Sequence, residues 1–318
     1  MNTQQRRSAI VDAHEAGQTL AAVVRSIMGG LPWSKSRQLI TTGRVIVDGA
    51  PVFDPVHRVM GGENVEIDPG ARKRRVPELD ADRILFVDRD LVVVDKPAGL
   101  ISVPFDERDT DSLLHRVADR LDHMDVPSAD QRKGPSALYT VQRLDKDTTG
   151  VLVFARTRKA RKGLENQLRK HSIKRRYLAL ALGRVKGQTV ESVLMPDRGD
   201  GKRGSWRGSG VRAPKEGKRA VTHVRAEELL NGATLVGCEL ETGRQHQIRI
   251  HLAEAGHPLL GERIYGRGLH PGGPELRAER PMLHAHTLGF VHPISDTFVQ
   301  YVSPLPADFT TLLDALRK

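Results

Sequence analysis

The chain has 318 residues, with 50 lysines and arginines against 39 aspartates and glutamates, a net charge of +11 and a pI near 10.0. This balance favours nucleic acid as the partner rather than an anionic membrane, because the basic residues do not gather on one amphipathic helix. The single cysteine, Cys238, excludes an internal disulfide and fits a reducing compartment, and the lack of a membrane-length apolar run or an export signal makes the cytoplasm the expected location.

Residues 1–70 carry the pattern of a small α/β module. The predicted elements are two helices, residues 18–28 and 34–41, a hairpin, residues 44–52, and a last strand, residues 64–68. Ser34 is the expected N-cap of the second helix. The Asp48-Gly49 dipeptide predicts the turn of the hairpin, because both residues accept positive φ angles.

This order of helix, helix and hairpin is similar to the RNA-binding module of small-subunit ribosomal protein four. By that similarity Lys35, Arg37 and Arg44 would face RNA, while a solvated basic face is the simpler alternative. The module is short and is expected to lack stacking aromatic residues, so it would hold phosphates rather than read bases.

Two segments rich in glycine, proline and basic residues are predicted to be loops. Residues 71–82 form a linker whose basic run, residues 72–75, could contact phosphate or keep the linker extended. Residues 195–219 form a loop that is expected to be mobile without a ligand. Its Trp206 could stack on an RNA base, or the whole segment could be a disordered insertion.

Residues 83–318 predict one α+β domain with a mixed, mainly antiparallel sheet. Apolar runs predict strands at residues 84–87, 91–95, 151–155, 175–182, 220–230, 234–241 and 283–286. Helical spacing predicts helices at residues 157–171, 245–255 and 308–316.

One carboxylate stands just before the apolar strand at residues 151–155. Asp145 lies between Arg143 and Lys146, and such neighbouring cations favour the ionised form of an acid. An ionised carboxylate held at the start of a strand suits a nucleophile or a general base. For this segment alone a surface turn is the alternative, because Asp, Thr and Gly are ordinary turn residues.

Four ordered blocks resemble the RluA-type pseudouridine synthases. They are RLDKDTTG at 143–150, RRYLAL at 175–180, TGRQHQIRIHL at 242–252 with GHP at 256–258 and the glycines of 261–266, and LHAH at 283–286 with PLP at 304–306. Four blocks in order are far more specific than one motif. The resemblance extends from about residue 84 to the C-terminus. It implies the pseudouridine synthase catalytic fold and the isomerisation of specific uridines in structured RNA, without a cofactor or a metal.

The same resemblance implies the catalytic roles. Asp145 would be the nucleophile or base, Arg249 its cationic partner, and Tyr177 would lie against the uracil and could assist proton removal. Whether Asp145 attacks the ribose or removes a proton from it stays open. Further contacts with RNA or substrate are expected from Gln142, Arg143, Thr149, Arg244, His246 and Gln247.

Gln142 departs from the family, which usually has histidine there. Glutamine can still donate a hydrogen bond, but it cannot titrate near neutrality. If the histidine of the family only positions RNA, the replacement leaves activity intact.

The competing interpretations are a metal enzyme and a non-catalytic protein. Thirteen histidines suggest metal, but His246 and His251 are five apart and match no zinc motif. A non-catalytic RNA-binding or ribosome-assembly protein that retains the fold would be expected to have lost Asp145, Tyr177 or Arg249, and all three are present. The high charge favours a large structured RNA as the partner, ribosomal RNA of the large subunit first and transfer RNA second, and the chain is expected to act as a monomer.

Overall fold

The computed structural model describes residues 5–72, 78–104, 111–124, 130, 134, 137–208, 215–266 and 278–318. The chain divides into two compact units, Met1–Leu79 with Pro104–Arg116, and Asp80–Val103 with Val117–Lys318. Most of the predicted basic run at residues 72–75 lies outside the described residues. No helix in the described ranges is long and apolar enough to cross a membrane.

The smaller unit contains an antiparallel sheet with the order β1-β4-β2-β3. Its elements are β1 (Arg7–Ile10), α1 (Leu20–Ile27), α2 (Trp33–Thr41), β2 (Val45–Val47), β3 (Ala50–Pro51) and β4 (Asn64–Ile67). The predicted hairpin is confirmed, because Asp48 and Gly49 turn between β2 and β3 with φ angles of 47° and 80°. Apolar side chains from both helices and from the sheet, among them Val24, Ile40 and Val65, form one core.

Two predictions for this unit are wrong, and one strand was missed. The second helix does not begin with Ser34 as its N-cap, because Pro32 takes that place and makes no side-chain capping hydrogen bond. Strand β1 was not predicted, since its four residues carry only a weak alternation. The module does not lack stacking aromatic residues, because the Trp33 side chain is 49% exposed and the Arg25 guanidinium lies 5.3 Å from the centre of its ring.

Eleven described strands of the larger unit form one sheet, ordered β11-β10-β12-β13-β9-β14-β8-β6-β5, with β15 beside β14 and β7 beside β8. They are β5 (Ile84–Val87), β6 (Leu91–Lys96), β7 (Tyr139–Thr140), β8 (Thr149–Ala155), β9 (Lys174–Leu182), β10 (Gln188–Met195), β11 (Gly204–Ser205), β12 (Lys218–Leu229), β13 (Ala233–Leu240), β14 (Leu283–Val291) and β15 (Phe298–Val302). Strands β8 and β14 run parallel, and the other pairings of these strands are antiparallel. The predicted mixed, mainly antiparallel sheet of an α+β fold is confirmed.

The remaining helices are α3 (Leu113–His123), α4 (Arg158–Arg169), α5 (Gln247–Glu254) and α6 (Ala307–Leu316), with a short 3-10 turn at Ala81–Arg83. Helices α4, α5 and α6 were predicted, whereas α3, β10 and β15 were not. Helix α3 does carry a helical signal, because Leu113, Val117 and Leu121 are spaced four apart and buried. The predicted loop at residues 195–219 contains β11, which pairs with the end of β10. Its first half is therefore a hairpin, and residues 209–214 lie outside the described residues.

The parallel contact between β8 and β14 fixes the start of β8. Gly150 has a φ angle of +115°, and a Cβ atom there would collide with the backbone of Ala285. One residue earlier, the Thr149 hydroxyl lies 2.9 Å from Nδ1 of His284, whose Nε2 lies 3.0 Å from the Ser303 carbonyl oxygen. The segment that leads into β8 is thus held by close backbone packing and by consecutive buried hydrogen bonds from Thr149 through His284 to Ser303.

This close approach predicts that Gly150→Ala strongly destabilises the protein. The new Cβ would meet backbone atoms, which cannot move away cheaply, at a φ angle that L-residues rarely adopt. We expect the free energy of unfolding, measured by urea denaturation, to fall by roughly 3 kcal/mol or more. Gly256→Ala is the matched control, because Gly256 has a φ angle of +87° but a Cβ there would have no atom within 4 Å. It should cost about 1–2 kcal/mol, and an equal loss in both variants would contradict the role of the contact.

Candidate active site

The loop before β8 holds Asp145 through its backbone. The Leu144 amide donates to the Ser102 hydroxyl at 2.9 Å, and that hydroxyl donates back to the Leu144 carbonyl at 2.7 Å. The Thr148 amide donates to the Asp145 carbonyl at 3.1 Å. With its neighbours fixed on both sides, the Asp145 side chain is 23% exposed and can be reached from solvent.

Lys96, the last residue of β6, anchors the same loop from within the protein. Its side chain is fully buried, and its Nζ donates to the carbonyl oxygens of Pro97 at 2.8 Å and Lys146 at 2.6 Å. Burial lowers the pKa of Lys96 to about 7, while the carboxylates of Asp147 and Asp145 oppose that shift. The sequence predicted this strand only for residues 91–95 and gave Lys96 no role; the signal it missed is a lysine two positions after a run of buried apolar residues.

Arg249 on α5 is shared between two carboxylates. Its Nε and Nη2 donate to the two carboxylate oxygens of Glu262 at 2.7 and 2.8 Å, and the Glu262 side chain is fully buried. Its remaining nitrogen, Nη1, lies 3.9 Å from Oδ2 of Asp145. Burial opposes the ionisation of Glu262, but the hydrogen bonds and charge of Arg249 keep the pKa of Glu262 below its ordinary value. Glu262 therefore fixes the guanidinium, which points its free edge towards Asp145.

His246 and Tyr265 close the other side of Asp145. His246 caps α5 in the left-handed conformation, with a φ angle of 58°, and its Nε2 lies 3.9 Å from Oδ1 of Asp145. Its Nδ1 lies 2.6 Å from the Tyr265 hydroxyl, and the Tyr265 ring packs 5.4 Å from the Arg249 guanidinium. Burial lowers the pKa of His246 against the opposing charge of Asp145, which favours the neutral imidazole.

The sheet register places Tyr177 in the same region. On β14, Ala285 pairs with Gly150 of β8 on one side and with Tyr177 of β9 on the other. Burial raises the pKa of Tyr177 and the charge of Asp145 adds to the rise, while Arg175 opposes it. Tyr177 therefore carries a neutral hydroxyl at neutral pH and lies close enough to Asp145 for the charge of that carboxylate to act on it.

The other residues predicted to contact RNA take two kinds of position. Arg143 and Arg244 are exposed and Gln142 is half-buried, so all three are accessible. In the smaller unit Lys35 and Arg37 are exposed on α2 and Arg44 is half-buried. These positions are compatible with contacts to RNA.

Thr149 and Gln247 do not have such positions, and their prediction as RNA contacts is wrong. The buried Thr149 hydroxyl is engaged with His284. The Gln247 side chain is 2% exposed. Its amide oxygen accepts from the Thr242 hydroxyl and the Arg244 amide, and its nitrogen donates to Val221 and Thr222. Both side chains hold protein segments together instead of facing a ligand.

Glu262 and Tyr265 are the further site residues that the sequence prediction did not assign. They lie within the block at residues 261–266, in which the sequence analysis named only the glycines. Glu262 also accepts hydrogen bonds from the amides of Ile264 at 2.8 Å and Tyr265 at 3.3 Å, which shapes the turn that presents Tyr265. Within the described ranges, no group of three or more His, Cys, Asp or Glu side chains could hold a metal ion.

Comparisons with known proteins agree on one family. The family model described as RNA pseudouridylate synthase matches residues 90–254. A protein of Xylella fastidiosa, named ribosomal large subunit pseudouridine synthase D, is 36% identical across 98% of this chain and 93% of its own length. A protein of the same name from Nitrosomonas europaea is 38% identical across 90% and 81%. The structure of human RNA pseudouridylate synthase domain containing 4 matches with a TM-score of 0.58 at 23% identity, over 74% of this chain and 93% of that one, which shows a shared fold.

The buried Lys96 predicts a pH dependence of stability. Its ordinary pKa of 10.5 applies to the unfolded chain and a value of about 7 to the folded one. Between these values the unfolded chain binds a proton that the folded chain does not, so the free energy of unfolding rises with pH. Relative to Lys96→Met, the wild-type protein should gain up to about 1 kcal/mol per pH unit from pH 7.5 to 10, and nothing below pH 6.5.

Urea unfolding at pH 6, 8 and 9.5 measures this difference. The hydrogen bonds lost in Lys96→Met lower the free energy of unfolding by the same amount at all three pH values. The slope of that free energy against pH therefore reports only the ionisation of Lys96. Substitution of Lys170, an exposed lysine after α4, by methionine is the control and should leave the slope unchanged. Parallel pH profiles for the wild-type protein and Lys96→Met would refute a charge that is suppressed by burial.

Proposed function

This chain belongs to the RNA pseudouridylate synthase family, and we propose that it converts uridine to pseudouridine in the RNA of the large ribosomal subunit. Membership of the family makes the chain an RNA pseudouridine synthase, an isomerase, as its motifs predict. The observation that carries the assignment of the site is the 3.9 Å approach of Arg249 to the Asp145 carboxylate just before β8, in the region to which the sheet register also brings Tyr177. A non-catalytic protein that had only kept the fold would have no need of this cluster.

The reaction defines what the site must supply. The bond between N1 of uracil and C1′ of ribose breaks, the base turns, and a bond forms between C5 and C1′. C5 loses a proton and N1 gains one, so the atoms and electrons of the substrate balance without an oxidant or a reductant. The protein must supply a carboxylate at the sugar or base, a cation that orients it, and a group that holds the uracil.

Asp145 is proposed to act as that carboxylate. Its oxygens lie 3.9 Å from Arg249 and from His246, which is longer than a hydrogen bond. Both partners therefore orient the carboxylate without occupying it, and one oxygen stays available to C1′ or to a proton of the substrate. The same arrangement serves a nucleophile and a base, so it supports either role for Asp145.

Tyr177 is proposed to hold the uracil. A half-buried aromatic ring near the carboxylate offers a face on which a flipped-out base can stack, and this contact offsets part of the few kcal/mol that flipping costs. Because burial raises the pKa of Tyr177, its hydroxyl is a hydrogen-bond donor in the resting site. Removal of the C5 proton would then need a nearby acceptor, and Asp145 is the adjacent carboxylate.

Two observations support ribosomal RNA as the target. The matched relatives whose names are given above are described as enzymes of the large ribosomal subunit, and they align with nearly the whole chain. The smaller unit adds exposed cations and an exposed aromatic residue, Lys35, Arg37 and Trp33, which suit a structured RNA. Transfer RNA is the second candidate, and incubation of the protein with both kinds of transcript separates them, since pseudouridine in transfer RNA alone would overturn the proposed target.

Asp145→Asn is expected to abolish pseudouridine formation while RNA binding stays within a few-fold. Asparagine keeps the shape of the side chain and removes its charge. Tritium release from RNA labelled at C5 of uridine measures turnover, and filter binding measures affinity. Asp147→Asn is the matched control, because Asp147 is an acid of the same loop whose charge also acts on Lys96. Substantial turnover by Asp145→Asn would contradict the assignment of Asp145 as the catalytic carboxylate.

The smaller unit predicts a salt effect on RNA binding. The double variant Lys35→Ala/Arg37→Ala should bind RNA more weakly, and the slope of log affinity against log salt should fall by roughly 2, about one for each lost phosphate contact. Arg6→Ala is the control, because Arg6 is exposed but already paired with Glu66. An unchanged slope in the double variant would show that α2 does not contact phosphate.

A further inference from the structure

The turn between β10 and β11 is a built hairpin, although the sequence predicted a mobile loop there. The Asp197 carboxylate accepts hydrogen bonds from the amides of Gly199 at 2.7 Å and Gly201 at 2.9 Å. Arg198 pairs with the Asp200 carboxylate through Nε at 3.0 Å and Nη2 at 2.7 Å. Side chains of the turn thus close it on itself, and none of the proposed catalytic steps uses it.

The hairpin is also tied to the two elements that build the active site. Its Ser205 amide donates to the carboxylate of Glu254, the last residue of α5, at 3.0 Å. Its Lys202 Nζ donates to the Ile264 carbonyl at 3.3 Å, in the turn that presents Tyr265. Because α5 carries Arg249, the hairpin has a fixed position relative to the catalytic cluster.

Arg203 lies between these two ties. It is half-buried, and its charge makes a small contribution at both His246 and Tyr265, which lie beside Asp145. Burial is the main cause that lowers the pKa of His246, and Arg249 and Arg203 both add to the shift. Burial raises the pKa of Tyr265 to about 12, and the same two cations oppose that rise. Because Lys202 on one side is tied to the turn before Tyr265 and Ser205 on the other is tied to α5, the backbone of Arg203 lies at the edge of the catalytic cluster, close enough for its charge to act there.

Arg203 differs from Arg249, the cation that faces Asp145, because no carboxylate of the described residues pairs with it. Among the described residues no carboxylate forms an ion pair with it, whereas Arg249 already takes up Glu262 and faces Asp145. A cation held near a second cation raises the local potential, and the site gains most from a negative group supplied by the substrate. RNA brings such a group on each side of the reacting nucleotide.

We propose that Arg203 binds a phosphodiester group adjacent to the target uridine, at the edge of the active site. This inference rests on the proposed function and names a contact of the same site. A guanidinium matches two phosphate oxygens at once, which fixes orientation as well as adding affinity. Because the hairpin is tied down, the backbone that carries Arg203 is in place before RNA binds, and a uridine that is flipped into the site brings its phosphate within reach of the guanidinium.

A chemical double-mutant cycle tests this contact. RNA fragments carry a neutral methylphosphonate in place of the phosphate 5′ or 3′ of the target uridine, and binding is measured for the wild-type protein and Arg203→Gln. In the unmodified RNA, Arg203→Gln should weaken binding about tenfold and lower the salt slope by roughly 1. One of the two neutral linkages should weaken binding to the wild-type protein by a similar factor, and it should have no further effect in Arg203→Gln.

Two control variants keep the result specific. Arg203→Lys retains the charge and should recover part of the affinity for unmodified RNA. Arg207→Gln removes an exposed arginine beyond β11 and should keep the full effect of the neutral linkage. Equal penalties of both linkages in the wild-type protein and in Arg203→Gln would overturn the contact. Pseudouridine formation by the wild-type protein on the unmodified fragment is scored first, and its absence would instead overturn the proposed function and this inference with it.

Discussion

The ion pair between Arg249 and Glu262 is the interaction on which the active site depends. A guanidinium buried to this extent is costly unless a partner neutralises it, and Glu262 does so through two hydrogen bonds. Since Glu262 takes two of the three nitrogens, the third is left to face Asp145. The same carboxylate also shapes the turn at Tyr265, whose hydroxyl holds the His246 ring. One buried acid therefore orients both groups that flank the Asp145 carboxylate.

The sheet fixes the loop that carries Asp145. The Asp145 side chain must be accessible to substrate, yet it must keep a constant distance from Arg249. Gly150 lets β8 approach β14 closely, and the row from Gly150 through Ala285 to Tyr177 crosses three strands. Beneath the loop, the buried Lys96 holds the Lys146 carbonyl through a hydrogen bond from its Nζ. The carboxylate thus has a rigid backbone and a side chain that remains accessible.

The sequence predicted the parts of the site that local pattern and motif order encode. Asp145 and Arg249 stand in recognisable blocks, and Tyr177 lies on a strand with clear apolar periodicity. Lys96 and Glu262 were missed because their roles depend on partners brought near only by the fold: Lys96 donates to a carbonyl fifty residues away, and Glu262 pairs across the turn after α5.

Gln247 shows the opposite error. It belongs to the same block as Arg249, and nothing in the sequence distinguishes an amide that faces RNA from one that is engaged entirely with the protein. Strand β10 was missed because its polar residues give a weak local pattern, which packing in the sheet overrides. Helix α3, in contrast, has clear helical spacing in Leu113, Val117 and Leu121 and could have been predicted.

The net charge of +11 overstates how much positive charge the protein can offer to RNA. Arg249, Arg198 and Arg280 each form tight pairs with carboxylates of the same chain, so their charge is largely neutralised within the fold. What remains for a polyanion is the smaller set of cations without such partners. Among the described residues Arg203, at the edge of the catalytic cluster, and Lys35, exposed on α2, belong to this set. Affinity for RNA in general and placement of one uridine are therefore separable properties of this chain. The first depends on exposed cations that act through the salt-sensitive release of counterions, and the second on a cation whose position is fixed by the hairpin that carries it.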